Sequence, residues 1–222
     1  MATQTSRLAL IFWLVSLGLV MGFAPAAIAI PFDEVGDAPD TVAGALAAGS
    51  LPTLTQIRGN IESGTDADVF LITLAVSGRF SATTNNGLGS IGTGDTQLFL
   101  FDSSGHGILA NDDDGGANGG FKSTLPPTQL AAGNYLLAIS TYNNDPFSSG
   151  ALIFPNSPFT GVFGPVNAGA LTSWGGSGGN GGTYAIDVAL ELQPVPEPAT
   201  LILFGTALAG IGIARRRFHK RG

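Results

Sequence analysis

At 222 residues the chain has room for one ordinary domain with targeting segments at either end, and it contains no cysteine, which excludes disulfides, zinc–thiolate sites and thiol nucleophiles. Its formal net charge of −7 is unevenly distributed, because residues 30–195 hold three basic residues against fifteen acidic ones. A body this acidic repels phosphate backbones, so we expect no nucleic-acid partner; an exported, self-repelling protein or one that collects divalent cations is favoured.

The amino terminus has the layout of a secretory signal. It begins with "MATQTSR", which carries one positive charge at Arg7, and continues with the apolar stretch "LALIFWLVSLGLVMGF". Small residues at Ala27 and Ala29 then provide an A-x-A site, which predicts a signal peptide over residues 1–29 with cleavage after Ala29. An uncleaved membrane anchor is the alternative, and Pro25 argues against it because it interrupts a continuing span.

The body, residues 30–193, has the pattern of an all-β domain. Its acidic lead-in, "FDEVGDAPDTVAGALAAG", ends in an alanine-rich stretch for which we predict a turn of helix. Strand-like segments bounded by turn residues follow: "TQIRGNI", "DVFLITLA", "GRFSATT", "TQLFLFD", "GILAND", "NYLLAIS" and "TYAIDVALEL". The last has a period of two, which places one face on a core: Tyr184, Ile186, Val188, Leu190 and Leu192. Turns at about ten-residue spacing predict an antiparallel sandwich or barrel.

Residues 143–182 form an unusual stretch before the last strand. It is rich in glycine, and residues 146–186 contain no charged side chain. Its "GGSGGNGG" is typical of a flexible linker, but the stretch also contains large apolar residues: Phe147, Ile153, Phe154, Phe159, Phe163 and Trp174. We predict a long loop or irregular hairpin whose aromatic side chains pack on the sheet. A functional loop and a decorative surface insertion both stay open.

Carboxylate-rich turns are the candidate metal ligands. "ESGTDADVF" places Asp66 and Asp68 at the start of a strand, and "ANDDDGG" places Asp112 and Asp113 in a turn after another. Hard cations such as Ca²⁺ take several oxygen ligands, which such turns can supply. The spacing excludes an EF-hand loop, so a calcium site would be assembled from separate loops. Solvated turns are the alternative, because turns favour Asn, Asp and Gly in any case.

The sequence offers no catalytic set. The only histidine of the body, His106, lies in the turn "SSGHGI", and no "GxSxG" nucleophile elbow accompanies it. No "HExxH", phosphate loop or dinucleotide fingerprint occurs. We therefore predict that the protein is not an enzyme.

The carboxyl terminus has three parts in order. Val195, Pro196, Glu197 and Pro198 come first, and residues 201–214 follow as an uncharged apolar run. A stable span needs about 20 residues, so this run predicts a short, marginal transmembrane helix. The basic cluster that ends it contains Arg215, Arg216 and Arg217. Positive residues stay on the cytoplasmic side, which places the body outside the inner membrane.

This tripartite tail resembles the PEP-CTERM sorting signal, which occurs in exopolysaccharide-producing Gram-negative bacteria and is read by exosortase, a membrane-embedded protease or transpeptidase-like enzyme. The resemblance covers about the last thirty residues. It implies transient contact with exosortase and the inner membrane, processing near Pro196 and Pro198, and delivery to the cell surface or extracellular matrix. A simple membrane anchor is the alternative.

The body resembles the bacterial pre-peptidase C-terminal (PPC-like) domain, a small jelly-roll β-sandwich, over residues 56–140. The matching stretches are "IRGNIESGTDADVFLITL", "DTQLFLFDSSGHGILANDDDG" and "LAAGNYLLAIS". Some PPC-like domains bind calcium through an acidic lead-in and an Asp-x-Asp loop. On that analogy Glu34, Asp37 and Asp40 would join Asp66 and Asp68, although the lead-in departs from the family's usual Glu-Pro-Asn-Asp form.

These observations together predict an exported matrix protein with a structural or adhesive role and with Ca²⁺ as its candidate cofactor. Extracellular polysaccharide is the expected partner outside the cell. The main rival is a surface module with a defined carbohydrate or protein ligand, in which Trp174, Phe159 and Phe163 form a sugar-stacking platform. A secreted hydrolase is the third reading.

Overall fold

The structure is a computed structural model that describes residues 28–85, 94–115, 120–176 and 178–192. Residues 1–27 of the predicted signal peptide, the sorting motif, the predicted tail helix and the basic cluster lie outside these residues. No helix within the described ranges is long and apolar enough to cross a membrane.

The described residues form fourteen strands and one short 3₁₀ turn at Val42–Gly44. The strands are β1 Ile30–Asp33, β2 Leu46–Leu51, β3 Leu54–Ile61, β4 Ala67–Leu74, β5 Gly78–Thr83, β6 Thr96–Asp102, β7 Gly107–Asn111, β8 Thr124–Leu130, β9 Gly133–Thr141, β10 Asp145–Ser148, β11 Ala151–Leu152, β12 Val162–Phe163, β13 Ser173–Gly175 and β14 Gly182–Leu192. All seven strands predicted from the sequence are present, as β3, β4, β5, β6, β7, β9 and β14.

Two large sheets make a jelly-roll sandwich. The five-stranded sheet has the order β1-β3-β14-β5-β8, and the six-stranded sheet has the order β12-β7-β6-β9-β4-β2. When the eight central strands are numbered along the chain, the sheets read 1-8-3-6 and 5-4-7-2, which is the jelly-roll order. The all-β sandwich expected from the sequence is confirmed.

The main core lies between the two sheets. Alternate residues of β14 enter it, as the period-two pattern predicts, and Ile186 is fully buried. Leu192, predicted on the same face, is instead 55% exposed, because it lies where β14 ends at the edge of the sandwich. The largest fully buried side chains come from both sheets: Phe70, Phe80, Leu51, Ile57, Ile61, Ile72, Leu74, Leu98, Leu100 and Leu125.

A third layer covers the outer face of the six-stranded sheet. Residues 143–182 form a small sheet of order β11-β10-β13 and supply β12 to the edge of the large sheet. Ile153, Phe154 and Leu171 are buried there against a second apolar cluster that includes Phe99 and Phe101 of β6. Because β6 is covered on both faces, its sequence is continuously apolar rather than alternating.

Three strands outside residues 143–182 were not predicted from the sequence: β1, β2 and β8. β1 lies in the acidic lead-in and pairs parallel to β3. The alanine-rich part of the lead-in forms the 3₁₀ turn Val42–Gly44, as a turn of helix was expected, but β2 follows at once and pairs parallel to β4. β8 contains Pro126 and Pro127, which disfavour strands. All three are edge strands, where missing backbone donors and small side chains are tolerated.

Candidate metal centre

The acidic lead-in is fixed to the sandwich directly after β1. The backbone N–H of Glu34 donates to the carbonyl of Arg58, which continues the β1–β3 pairing. The Glu34 carboxylate then accepts from two backbone N–H groups, with Oε1 2.5 Å from Ala38 N and Oε2 3.0 Å from Asn60 N. The carboxylate of Glu34 is therefore held at one position beside the end of β3.

Asp68 is the most buried carboxylate of this site. It is the second residue of β4, its side chain is 0% exposed, and its Oδ2 accepts from the hydroxyl of Tyr184 at 2.5 Å. The same hydroxyl lies 3.3 Å from Glu34 Oε2. The other oxygen, Asp68 Oδ1, is buried without a hydrogen-bond partner. A buried, unsatisfied carboxylate oxygen is costly, and a cation would satisfy it.

Three carboxylates converge at this place. One oxygen each from Glu34, Asp37 and Asp68 lies within 4.8 Å of the others. Asp66 is 9% exposed and adjoins them; its Oδ2 accepts from Glu62 N at 2.6 Å, and its side chain hydrogen-bonds that of Asp40. The lead-in and the Asp-x-Asp turn thus form one acidic group, as the family resemblance implies.

Burial and mutual repulsion raise the pKa values of carboxyl groups in this acidic group. Burial, followed by the charges of Glu34, Asp66 and Asp37, raises the pKa of Asp68 to about 9, although the Tyr184 hydroxyl opposes the shift. Burial and the neighbouring Asp66 raise the pKa of Asp40 to about 6. Burial also raises the pKa of Glu34. Without a cation, Asp68 is therefore protonated at neutral pH, and a bound cation would ionise it.

The local backbone leaves room for this arrangement only because residue 59 is glycine. A Cβ at Gly59 would overlap Glu34 Oε2 and the hydroxyl of Tyr184. Gly59 faces Tyr184 across the β3–β14 pair, so the missing side chain provides the space in which the carboxylate and the phenol meet.

The chemistry of this group suits a hard cation. Carboxylate oxygens are the ligands that Ca²⁺ prefers, and the buried Asp68 Oδ1 is an acceptor that such an ion would satisfy. Glu34, Asp37 and Asp68 are the residues that would hold the ion. Bound Ca²⁺ would supply positive charge that joins the lead-in to β4.

A second acidic group lies at the same end of the sandwich. Oxygens of Asp95, Asp112 and Asp113 lie within 4.8 Å of one another, and each residue has a buried Oδ1 without a partner. Burial and the charge of Asp113 raise the pKa of Asp112 to about 7 and that of Asp95 to about 6. Lys122 Nζ is also buried without a hydrogen-bond partner, and burial lowers the pKa of its ammonium group.

The predicted ligands are therefore divided between two places. Asp66 and Asp68 belong to the first group, whereas Asp112 and Asp113 belong to the second. The sequence analysis missed Asp95 and Tyr184. Asp95 gives a weak signal as an acidic residue directly before a strand, and Tyr184 gives none, because its pattern is that of a core residue.

The aromatic residues of the insertion, residues 143–182, line two separate clefts. Trp174 is half-buried with its ring edge-on to Phe99, and its indole N–H donates to the carbonyl of Asp40 at 2.8 Å. It lines one cleft together with Asp40, Thr65 and Thr172. Phe159 and Phe163 line a separate cleft beside Asp112 and Asp145.

His106 is engaged within its own turn. Its Nδ1 lies 3.1 Å from Asp102 Oδ2, and its backbone N–H donates to Asp102 Oδ1 at 3.0 Å. The Ser104 N–H donates to the same oxygen at 2.8 Å. These bonds close the β6–β7 turn.

Comparison with known proteins gives two family matches. A model described as the bacterial pre-peptidase C-terminal domain matches residues 60–141, and one described as the PEP-CTERM protein-sorting motif matches residues 194–217. Both resemblances inferred from the sequence are thereby confirmed. Among solved structures, the chain is similar to the pre-peptidase C-terminal domain of collagenase from Bacillus anthracis, with 16% identity, a TM-score of 0.35, and coverage of 69% of this chain and 99% of that chain. No curated protein matches the chain.

Proposed function

We propose that this chain, which carries a bacterial pre-peptidase C-terminal domain and a PEP-CTERM sorting motif, is a non-enzymatic, calcium-binding surface protein with a structural or adhesive role in an exopolysaccharide matrix. The motif implies an exported protein that exosortase recognises and that reaches the cell surface of a Gram-negative bacterium. The calcium site, the matrix role and the absence of catalysis are the parts that we add.

One observation carries the calcium proposal. Asp68 Oδ1 is buried without a partner in a group where carboxylate oxygens of Glu34 and Asp37 lie within 4.8 Å. Burial and the neighbouring carboxylates raise the pKa of Asp68, and a divalent cation bound here would replace its proton and offset the repulsion among the three ionised groups. We expect Ca²⁺ to stabilise the folded state, because the folded site binds the ion and the unfolded chain does not.

The test is a calcium titration of the full-length chain in detergent after chelation, followed by thermal unfolding and calorimetry. Ca²⁺ should raise the unfolding midpoint of the wild type. Asp68→Asn should abolish most of that rise, whereas the matched change Asp33→Asn should leave it intact, because Asp33 is exposed and pairs only with exposed Arg58. An unchanged wild-type midpoint and no binding heat would refute the site. A partial loss in Asp112→Asn would add the second group as a further site.

The proposed matrix role can be measured separately. Purified exopolysaccharide from the producing strain is incubated with the full-length chain in detergent, with Ca²⁺ or with chelator, and then sedimented. We expect co-sedimentation, stronger with Ca²⁺, because an acidic protein needs a cation to approach acidic polysaccharide. Equal, negligible sedimentation in both conditions would contradict the adhesive role and leave the calcium site unaffected.

A glycan-binding module is the second candidate, and the cleft at Trp174 favours it. The indole edge there adjoins hydroxyl and carboxyl side chains of Thr41, Thr65 and Asp40, which are groups that bind sugars through hydrogen bonds. Trp174→Ala should remove glycan binding while Phe159→Ala, in the other cleft, should preserve it. No binding by the wild type on a glycan array would end this candidate.

The proposal that the protein is not an enzyme rests on the sequence, in which no known catalytic motif accompanies the histidine of the body. His106 pairs with Asp102 inside a closed turn, an arrangement that stabilises the turn. Generic ester, peptide and glycoside substrates should therefore be turned over no faster than by buffer. Turnover that Asp102→Asn or His106→Ala removes would instead support the hydrolase.

A further inference from the structure

Both ends of the described body leave the sandwich at the same end. β1 begins at Ile30 beside Leu54, and β14 ends at Leu192 beside Gly78. The register of β3 against β14 places both positions at the start of β3. The chain segments before residue 28 and after residue 192 therefore depart from one side of the domain.

Three turns that cross between the two sheets lie at this same end. They join β2 to β3, β4 to β5, and β8 to β9, at residues 52–53, 75–77 and 131–132. We call residues 30, 52–53, 75–77, 131–132 and 192 the terminal end.

The terminal end is uncharged and exposes apolar side chains. Its residues are Ile, Ala, Pro, Thr, Val, Ser and Leu, without a charged side chain among them. Ile30 and Leu192 are each 55% exposed, and Val76 is 45% exposed. Three of the large apolar side chains that the described body exposes thus lie where the chain enters and leaves. Such clusters mark surfaces that meet a partner or a membrane.

Two polar side-chain pairs border the terminal end. Arg79 lies 3.9 Å from Glu191 on the outer face of the five-stranded sheet, and Asp102 lies 3.1 Å from His106 in the β6–β7 turn. Both pairs lie outside the three crossing turns and are about half exposed, so a lipid surface that contacts only those turns leaves the pairs in water.

Both acidic groups lie at the opposite end. Asp68 is the second residue of β4, whose last residue, Leu74, pairs with Gly133 at the terminal end. Six extended residue steps separate Asp68 from Leu74 by about 20 Å. The described body is thus polarised, with its carboxylate clusters at one end and an uncharged surface at the other. An anionic lipid surface would repel the first and not the second.

If the apolar run of residues 201–214 inserts in a membrane, the length of the sequence between it and β14 keeps the terminal end close to that membrane. Eight residues, 193–200, separate Leu192 from the apolar run of residues 201–214, and the sorting motif covers residues 194–217. Eight extended residues reach at most about 28 Å. A tether this short gives a high effective concentration of the bilayer at the surface next to the tether, so weak apolar contacts suffice.

We propose that the terminal end is a lipid-facing surface, on which the body rests at the bilayer interface while its tail is membrane-bound, with the acidic end directed outward. This inference rests on the proposed function, because it requires the sorting tail to insert in the membrane. Small, uncharged turns with exposed apolar side chains fit a fluid lipid surface better than a protein partner, which would need specific polar matches at its rim.

The experiment uses the absence of cysteine from the chain. Ala75→Cys, exposed at the terminal end, and Val35→Cys, 90% exposed in the lead-in, are each labelled with an environment-sensitive fluorophore in the full-length chain. The labelled proteins are reconstituted in phosphatidylcholine vesicles. Quenching by spin-labelled lipid reports contact with the bilayer, and quenching by aqueous iodide reports contact with water.

We expect the label at residue 75 to be quenched by spin-labelled lipid and protected from iodide several-fold, and the label at residue 35 to show the reverse. Adding Val76→Glu should remove the lipid quenching at residue 75, whereas Val35→Glu combined with the same label should not. Equal iodide access at both positions in chains that float with the vesicles would overturn the lipid-facing surface and leave the sorting tail intact.

Two other outcomes are also decisive. Chains that do not float with vesicles would overturn both the surface and the membrane stage of the proposed function. A label at residue 75 that stays in water on vesicles, but becomes protected when membranes containing exosortase are used, would assign this surface to a protein partner instead of lipid.

Discussion

At the scale of single residues, the acidic site depends on groups far apart in the sequence. Asp68, Glu34 and Tyr184 meet only because β1, β4 and β14 place their ends together. The carboxylates could be named from the sequence as turn residues with oxygen ligands. Their convergence could not, because spacing along the chain does not report which strand ends adjoin, and Tyr184 follows the pattern of an ordinary core residue.

Gly59→Ala tests how tightly this site is packed. The new Cβ would collide with the Glu34 carboxylate and the Tyr184 hydroxyl, so we expect a loss of about 1–3 kcal/mol in unfolding free energy, typical of overpacking. Calcium stabilisation should weaken with it. Gly164→Ala is the matched control, because a Cβ there meets nothing within 4 Å. Urea unfolding in chelator and in Ca²⁺ measures both effects, and equal behaviour of the two variants would contradict the geometry.

Asp102 predicts a pH dependence of stability. Burial alone raises its pKa, but the N–H groups of His106 and Ser104, together with the imidazole, lower it below the ordinary value of 3.8. A carboxyl group with a lowered folded pKa stabilises the fold above its unfolded pKa, and that contribution disappears as pH falls through the folded value. Asp102→Asn should therefore be less stable than the wild type near neutral pH, and the difference should close in acid.

Urea unfolding at a series of pH values from about 7 to about 2 checks this expectation. Asp33→Asn serves as the comparison, since Asp33 makes only an exposed contact with Arg58. A difference between wild type and Asp102→Asn that stays constant across this range would mean that the charge of Asp102 does not contribute.

At the scale of elements, the strands that alternate were predictable and those that do not were missed. β14 shows period two because one face meets the core and one meets water. β2 is alanine-rich and β8 contains two prolines, so neither has the composition of a strand. The strands of the insertion, two to four residues long in β10 and β11, are too short to show a period. Their pairing depends on a sheet that the local sequence does not reveal.

Phe154→Ala tests whether the insertion is an integral layer. Phe154 is 3% exposed, with ring centroids 5.8 Å from Phe99 and 5.7 Å from Phe101, so its truncation should cost about 3–5 kcal/mol. Phe159→Ala removes the same atoms from a ring that is 43% exposed and should cost under about 1 kcal/mol. Chemical unfolding, with limited proteolysis of residues 143–182, distinguishes the two. Equal small losses would mean that the layer detaches freely.

At the scale of the whole molecule, the acidic groups and the chain termini lie at opposite ends of the sandwich. Both acidic groups lie at one end, and both termini of the described body leave from the other. The net charge of −7 could be read from the composition. The distribution of the acidic residues between the two ends of the sandwich could not, because it depends on which turns share an end. The sorting motif begins two residues after β14 ends, so the folded domain lies close in sequence to the segment that a sorting enzyme would recognise.

Glu197→Gln tests whether a sorting enzyme recognises the motif or whether the tail only anchors the chain in a membrane. Glu197 is the charged residue of the PEP element within the matched segment 194–217, and a sorting enzyme that reads this element requires it. In the native host we expect the full-length precursor to accumulate in the membrane fraction, while the wild type appears at the surface with a shortened tail. Glu191→Gln is the matched control, because it removes the same charge six residues upstream, outside the motif.

Cell fractionation with immunoblotting, followed by intact mass of each species, gives the readout for these variants. If Glu197→Gln and the wild type share one distribution and one mass, the apolar run of residues 201–214 is only an anchor. If the precursor is retained and the wild type is shortened, the marginal length of that run has a purpose. An apolar run below the about 20 residues that stable insertion needs would hold the chain at the membrane only until the cut is made. The folded domain would then leave with its proposed calcium site intact, because the carboxylates of Glu34, Asp37 and Asp68 lie at the end of the sandwich opposite Leu192.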